Sequence, residues 1–221
     1  MTEPRVTAVW TDFGGVLTPP IAETMQNFCA RLDIDAHALL TVIGEVTESF
    51  GTDDYMEPID TPIVTEAEWL DRIGVLLRER HGIDRRLTTL ADDWFKDRET
   101  NRVWADYLEE LRARGVFVGM LSNMVPTWDA HWRRMVDPAA LFDDVVLSFE
   151  VGTRKPRADV FELAARRAGV PAERCLLVDD NERNCEGARA AGWHAVHFRD
   201  TAAAVAETAG LTGVPAGLPA T

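Results

Sequence analysis

Four short apolar runs in this chain each lead into polar or charged side chains, and stretches with helical spacing separate them. Residues 6–11 run into Asp12, Phe13, Gly14 and Gly15, and residues 116–121 into Ser122 and Asn123. Residues 145–147 precede a glycine-bounded loop holding Lys155 and Pro156, and residues 175–178 end in Asp179 and Asp180. Strands that alternate with helices imply a parallel sheet covered on both faces. Such a sheet binds ligands at the carboxyl ends of its strands. An acid closing an aliphatic run is therefore delivered to a site. The glycines behind Asp12 allow a tight turn and a close approach of ligand to backbone.

The first strand is separated from the others by a block with no strand pattern. Residues 21–32 carry Ile21, Met25, Phe28, Cys29 and Leu32 at helical spacing, and residues 36–46 continue with Leu39, Leu40, Ile43 and Val46. Residues 49–64, with Gly51, Pro58 and Pro62 among several acids, read as irregular. Thr65 and Glu68 form a capping box ahead of an apolar face of Trp69, Ile73, Leu76 and Leu77. A short helix is expected over 89–97. Beyond Arg98, helices over 103–111, 126–135, 158–168, 184–191 and 201–209 alternate with strands, the last over 193–198. The expected fold is α/β: a Rossmann-like three-layer core with a parallel sheet, formed by residues 1–17 and 99–209. An all-helical domain, 18–98, is inserted after the first strand. The Gly- and Pro-rich tail, 210–221, reads as frayed.

A chain of 221 residues supports one core with such an insertion. Its net charge of −14 argues against nucleic acid or an anionic membrane as partner. An anionic substrate stays open, because a metal or a few local cations can reverse the field inside one pocket. Lysine is nearly absent: Lys96 and Lys155 are the two candidates for any lysine chemistry. Cys29, Cys175 and Cys185 lack metal-ligand spacing. With no signal peptide or membrane-spanning run, they predict free thiols in a soluble cytoplasmic protein, a monomer or homodimer.

The strand-end groups suit phosphoryl transfer. A carboxylate can act as nucleophile and form an aspartyl-phosphate. Asp12 with one of the paired aspartates makes the hard oxygen site that Mg²⁺ takes. Lys155, Ser122 and Asn123 would hold the remaining phosphoryl oxygens. Each feature also has a plainer reading by itself: a helix cap at Ser122-Asn123, a solvated Lys155, a capping pair at Asp179-Asp180.

Taken in order, these motifs resemble the haloacid dehalogenase superfamily, which consists mostly of Mg²⁺-dependent phosphatases. The resemblance covers residues 5–17 and 100–200 and is nearest to the N-terminal phosphatase domain of soluble epoxide hydrolases. It implies that Asp12 is nucleophile and metal ligand, that Gly14 lends its carbonyl to the metal, and that Asp180 ligates directly with Asp179 behind it. It implies further that Lys155 and Ser122 hold the phosphate, with Asn123, Gly14, Gly15 and Asn184 at the substrate. Residues 18–98 become a cap that sets specificity for a small phosphorylated metabolite.

One position departs from the pattern. Phosphatases of this superfamily carry a second Asp two residues after the nucleophile, as general acid and base; here it is Gly14. Such a loss costs on the order of 10²–10⁴ in rate for a poor leaving group. Three readings follow: a substrate with a good leaving group, such as an acyl or anomeric phosphate; a proton from the substrate or from cap residues Asp53, Asp54, Glu57 or Asp60; or a phosphate-ligand or partner-binding module without turnover. His131 is a further candidate donor, while Trp128 and Trp132, four apart, read as packing residues. Halide-releasing members use no metal, so the Asp179-Asp180 pair argues against them. Phosphonate-cleaving members need a cap lysine, and none lies between Asp12 and Lys96, so that branch would require Lys96, at the exit of the cap, to substitute.

Overall fold

The computed structural model describes residues 5–215. Among them β1 (Ala8–Thr11) is followed by α1 (Ile21–Leu32), α2 (Ala36–Glu48), α3 (Glu57–Asp60), α4 (Glu66–His81), α5 (Ala91–Trp94) and α6 (Arg102–Ala113). The chain then alternates through β2 (Phe117–Ser122), α7 (Asp129–Met135), α8 (Pro138–Leu141), β3 (Asp144–Leu147), α9 (Ser148–Val151) and α10 (Ala158–Ala168). It ends with β4 (Cys175–Asp179), α11 (Glu182–Ala190), β5 (His194–His197) and α12 (Thr201–Thr212). The five strands are parallel in the order β3-β2-β1-β4-β5. β1 is central, with Trp10 opposite Gly119 on one side and Leu177 on the other. The chain leaves β1 toward β2 and leaves β4 toward β5, in opposite directions, so a crevice opens at the ends of β1 and β4.

The two-residue alternation of the strands produces the three layers. Ala8, Trp10, Leu121, Val146 and Leu177 pack on the side of α10 and α11. Val9, Val118, Met120, Leu176 and Val178 belong to the opposite core, with α6 and α12. Thr11 is buried too, and its hydroxyl accepts from Trp104 Nε1 at 3.0 Å.

The helical insertion packs α2 on α4 and α1 on α5. The capping box at Thr65 and Glu68 is formed, and Gly82 closes α4 in the left-handed conformation. Both connections of the insertion are held together: the Asn101 N–H donates to the Leu17 carbonyl at 2.8 Å and its side-chain amide to Val16 at 2.9 Å. The insertion meets the core through aromatic rings, with Trp94 stacked on Trp128 at 5.6 Å and Phe95 edge-on to the same indole.

Several boundaries differ from expectation for local reasons. The segment read as irregular holds α3, because Pro58 sits in a first turn, where its missing N–H is no loss. The helix expected over 89–97 is the single turn α5, and Asp97 turns left-handed at φ 56°. The stretch over 126–135 opens as a 3-10 turn, Pro126–Trp128, before α7. α11 begins two residues earlier than expected, capped by the Asn181 side chain, so Asn184 lies inside its first turn. The tail is not frayed where it is described: α12 reaches Thr212, Val214 is buried, and its carbonyl accepts from the Tyr107 hydroxyl at 2.9 Å. The rest of that tail, 216–221, lies outside the described residues.

Gly119 marks the tightest contact of the central strands. A Cβ there would lie 2.4 Å from the fully buried Trp10 ring. Gly119→Ala is expected to cost about 1–3 kcal/mol through overpacking, read as a lower urea midpoint at unchanged m-value.

Candidate active site

The strand ends converge as the sheet order requires. Asp12 follows β1, and its N–H donates to the Val178 carbonyl at 2.9 Å, extending the pairing with β4. Lys155 arrives from the loop after α9, through a cis bond to Pro156. Its backbone is clamped by Asn123: the Lys155 N–H donates to Asn123 Oδ1, and Asn123 Nδ2 donates to the Lys155 carbonyl, both at 2.9 Å. Lys155 Nζ then donates to Asp12 Oδ1 at 2.9 Å and to Asp179 Oδ2. The ammonium is almost wholly buried. Burial alone would lower its pKa, but Asp12 and Asp179 outweigh that and raise it, so it stays charged. Asp12 is pushed up by burial and pulled back by Lys155.

Asp179 is saturated. It accepts from the Asn181 N–H at 2.9 Å, from Asn184 Nδ2 at 3.0 and 3.2 Å, and from Lys155. Asn184 therefore spends its amide on this acid, and Asn123 spends its own on the Lys155 backbone. Asp180 stands in front. Gly15, at φ 75°, admits it: a Cβ at that position would lie 2.1 Å from Asp180 Oδ2. Asp12, Asp179 and Asp180 each present an oxygen within 4.8 Å of the others. Burial, with Asp12 and Asp179 nearby, pushes Asp180 up to about 7. Three crowded carboxylates facing one ammonium form a hard oxygen set short of positive charge. Mg²⁺ fits it.

Above this floor lies a cavity of about 450 Å³ between the core and the helical insertion. Ser122, Asn123, Gly14 and Asn184 line its base. Of the four acids considered as proton donors, Asp54 and Asp60 line the cavity, but they are engaged elsewhere. Arg154 Nη1 pairs with Asp54 at 2.8 Å and with Glu57 at 3.7 Å, and its Nη2 donates to Asp60 at 2.9 Å. Asp53 pairs with Arg183 at 3.3 Å. His131 lies against Phe95 and Asp92. Trp132 is buried edge-on to Phe13, whereas Trp128 both packs and lines the cavity.

Two arginines were not singled out in the sequence. Arg154, beside Lys155, ties the core to the insertion through partners about a hundred residues away. Arg98, where the chain returns from the insertion, lines the cavity and lies over the Trp94 and Phe95 rings at 5.6 Å. Its Nε and Nη2 are buried without a protein acceptor, and burial brings its pKa down to about 10 against the pull of Asp12 and Asp180. At Gly14, a Cβ would meet Ile21 Cδ1 at 3.2 Å, so an apolar side chain borders the place of the missing acid.

The family model of haloacid dehalogenase-like hydrolases matches residues 3–192. The chain belongs to that family of hydrolases. It is 34% identical over 126 residues to the phosphoserine phosphatase of Thermus thermophilus, covering 54% of this chain and 50% of that one. It is 34% identical over 107 residues to a sesquiterpene phosphatase of Aspergillus oryzae, covering 48% and 54%. The chain thus spans about half the length of these curated relatives. In structure it resembles a haloacid dehalogenase family enzyme of Bacteroides thetaiotaomicron solved with magnesium and inorganic phosphate, with a TM-score of 0.60, 22% identity, and coverage of 88% and 94%. It also resembles the L-2-haloacid dehalogenase of Xanthobacter autotrophicus, with a TM-score of 0.64, 18% identity, and coverage of 91% and 81%. At such identities the likeness shows the fold.

The Arg154 cluster generates two expectations. Arg154→Met leaves Asp54, Glu57 and Asp60 without their shared cation and is expected to cost about 3–5 kcal/mol in chemical denaturation. Burial pushes Asp60 up to about 7 from 3.8 despite Arg154. The folded chain then holds this proton more tightly than the unfolded chain, so Asp60 favours folding increasingly as pH falls between those values. Relative to Asp60→Asn, the wild type should gain stability from pH 7 toward pH 4, and parallel pH profiles would refute this.

Proposed function

We propose that this hydrolase is a Mg²⁺-dependent phosphatase that works through an aspartyl-phosphate at Asp12 on a phosphate with a good leaving group. The observation that carries the reading is the Lys155 ammonium bridging Asp12 and Asp179, with Asp180 alongside. The phosphatases among its relatives support the same chemistry. Asp12 and Asp180, with the Gly14 carbonyl, would hold the Mg²⁺, and Asp179 would stand behind them. The ion supplies positive charge that offsets the repulsion between an anionic nucleophile and an anionic phosphate.

The residues of the chain have distinct parts. An Asp12 oxygen attacks phosphorus, the bond from phosphorus to the ester oxygen breaks, and the leaving oxygen departs with the electron pair. Water then attacks the phosphorus of the aspartyl-phosphate, releasing inorganic phosphate and restoring Asp12. Lys155 keeps one Asp12 oxygen fixed and, with the Ser122 hydroxyl, holds phosphoryl oxygens. Arg98, which lines the same cavity, offers two unpartnered donors. Asn123 acts through the Lys155 backbone, and Asn184 through Asp179. The helical insertion, 18–98, closes over the site as a cap.

Gly14 cannot protonate the leaving oxygen, and the cap acids are engaged away from Asp12, with Asp54, Glu57 and Asp60 around Arg154 and Asp53 beside Arg183. Hence the good leaving group. Phosphate release should require Mg²⁺, vanish with EDTA or Asp12→Asn, and rise steeply as the leaving-group pKa falls. Gly14→Asp should flatten that slope and raise the rate on poor leaving groups, by up to on the order of 10²–10⁴ once Ile21 gives way. A flat wild-type slope would place the proton donor elsewhere. No release from any phosphate would favour a ligand-binding role on the same fold.

A further inference from the structure

The cavity above Asp12 is walled by hydrocarbon. Met25 and Leu40 from the first two helices, Ile43, Met56, Phe95 and Trp128 face it. Its volume of about 450 Å³ is that of a site for a sizeable organic group and far exceeds what the phosphate needs. The apolar wall comes down almost to the nucleophile, since Ile21 Cδ1 borders Gly14. The first carbons beyond the ester oxygen therefore meet a methyl group rather than a carboxyl.

The charged groups around the cavity carry the second half of the argument. A small substrate bearing its own carboxylate needs a cation in the wall to receive it. Among the described residues that line the cavity, the cations are Lys155, Arg98 and Arg154. Lys155 is held by Asp12 and Asp179. Arg154 is held by Asp54, Glu57 and Asp60. Arg98 lies over the Phe95 ring, itself stacked on Phe13 next to Asp12, so its unpartnered nitrogens belong to the phosphate end. Among the described lining residues no cation remains for the far end of the cavity, and the net charge of −14 disfavours a second anionic group further. Burial of apolar surface is the source of affinity that these walls offer.

We propose that the substrate is the phosphate of a bulky apolar group, attached through a leaving oxygen of low pKa as in an aryl, enol or acyl phosphate. The phosphate lies at Asp12 and the hydrocarbon fills the cavity. This rests on the phosphatase reading for its reaction and on the cavity wall for its choice of substrate.

A series of 4-alkylphenyl phosphates separates the two, because the leaving-group acidity stays nearly constant while the apolar area grows. With Mg²⁺ present, kcat/KM should rise roughly two- to fourfold for each methylene from phenyl to 4-hexylphenyl phosphate, levelling once the cavity is full. 4-Carboxyphenyl phosphate should fall at least about tenfold below 4-ethylphenyl phosphate, since its carboxylate would be desolvated without a partner. Met25→Gln and Leu40→Gln, made separately, should each reduce the gain per methylene. A flat series, or a carboxylate substrate that does as well, overturns the proposal.

Hydrolysis of acetyl phosphate in the same assay tests the phosphatase reading by itself. If it too is inert, calorimetric binding of the same series to the Asp12→Asn protein decides the apolar preference without turnover. Tighter binding of the longer chains upholds the proposal there, and equal or weaker binding overturns it.

Discussion

A buried ammonium between two buried carboxylates organises this molecule. Lys155, Asp12 and Asp179 come from three separate stretches of chain, and each would be costly to bury alone. Together they offset most of that cost only if the ends of β1 and β4 and the loop after α9 meet within hydrogen-bond distance. A parallel order with β1 beside β4 makes that possible, and the Asn123 clamp on the Lys155 backbone sets how far the ammonium reaches. Buried ion pairs rarely stabilise more than well-packed hydrocarbon would. The value of this one lies in placement: it holds one Asp12 oxygen and leaves the other carboxylate edge toward the cavity.

Charge is handled twice more by the same means. Asp180 adds a third carboxylate with no ion pair of its own, and burial, with Asp12 and Asp179 nearby, pushes it up to about 7. Around Arg154 the balance runs the other way, with three acids of the insertion converging on one guanidinium of the core. The two clusters stay distinct. Asp60 responds to Arg154 and Asp54, whereas Asp180 responds to Asp12, Asp179 and Lys155. One cluster crowds negative charge at Asp12, and the other fastens the insertion over it while engaging the guanidinium that Arg154 brings to the cavity wall.

How much of this could be read in the chain follows from what sequence patterns encode. Strand ends are local, so Asp12, Ser122, Lys155 and the Asp179-Asp180 pair stand out as polar interruptions of apolar runs. The capping box at Thr65 and the apolar faces of α1, α2 and α4 are local in the same way. The roles of Asn123 and Asn184 were less visible, because each amide is spent on a neighbour, Lys155 or Asp179, that only folding supplies. Arg154 and Arg98 were invisible for a related reason. Nothing near Arg154 in sequence announces Asp54 or Asp60, and nothing near Arg98 announces that two of its nitrogens are buried without acceptors. Helix boundaries failed where a proline or a side-chain cap decided the first turn, as at Pro58 and Asn181.

Gly14 and the apolar cavity are two faces of one constraint. An acid at position 14 would need a polar or solvated neighbour, yet the nearest atom to a side chain there is a methyl group of Ile21. A carboxyl there would press on that methyl and stand close to Asp12 Oδ2, 4.0 Å from a Cβ at this position, and the like charge would make it hold its proton more tightly, which suits a donor but hinders its later use as a base. A glycine removes the conflict and leaves the wall continuous from Ile21 to Met25 and Phe95. Under the proposed reading, the site would recognise its ligand by hydrocarbon contact up to the ester oxygen, and activation would come from the leaving group itself. In the proposed reaction, the absent acid and the character of the substrate are thus set together by the packing of α1 against the turn after β1.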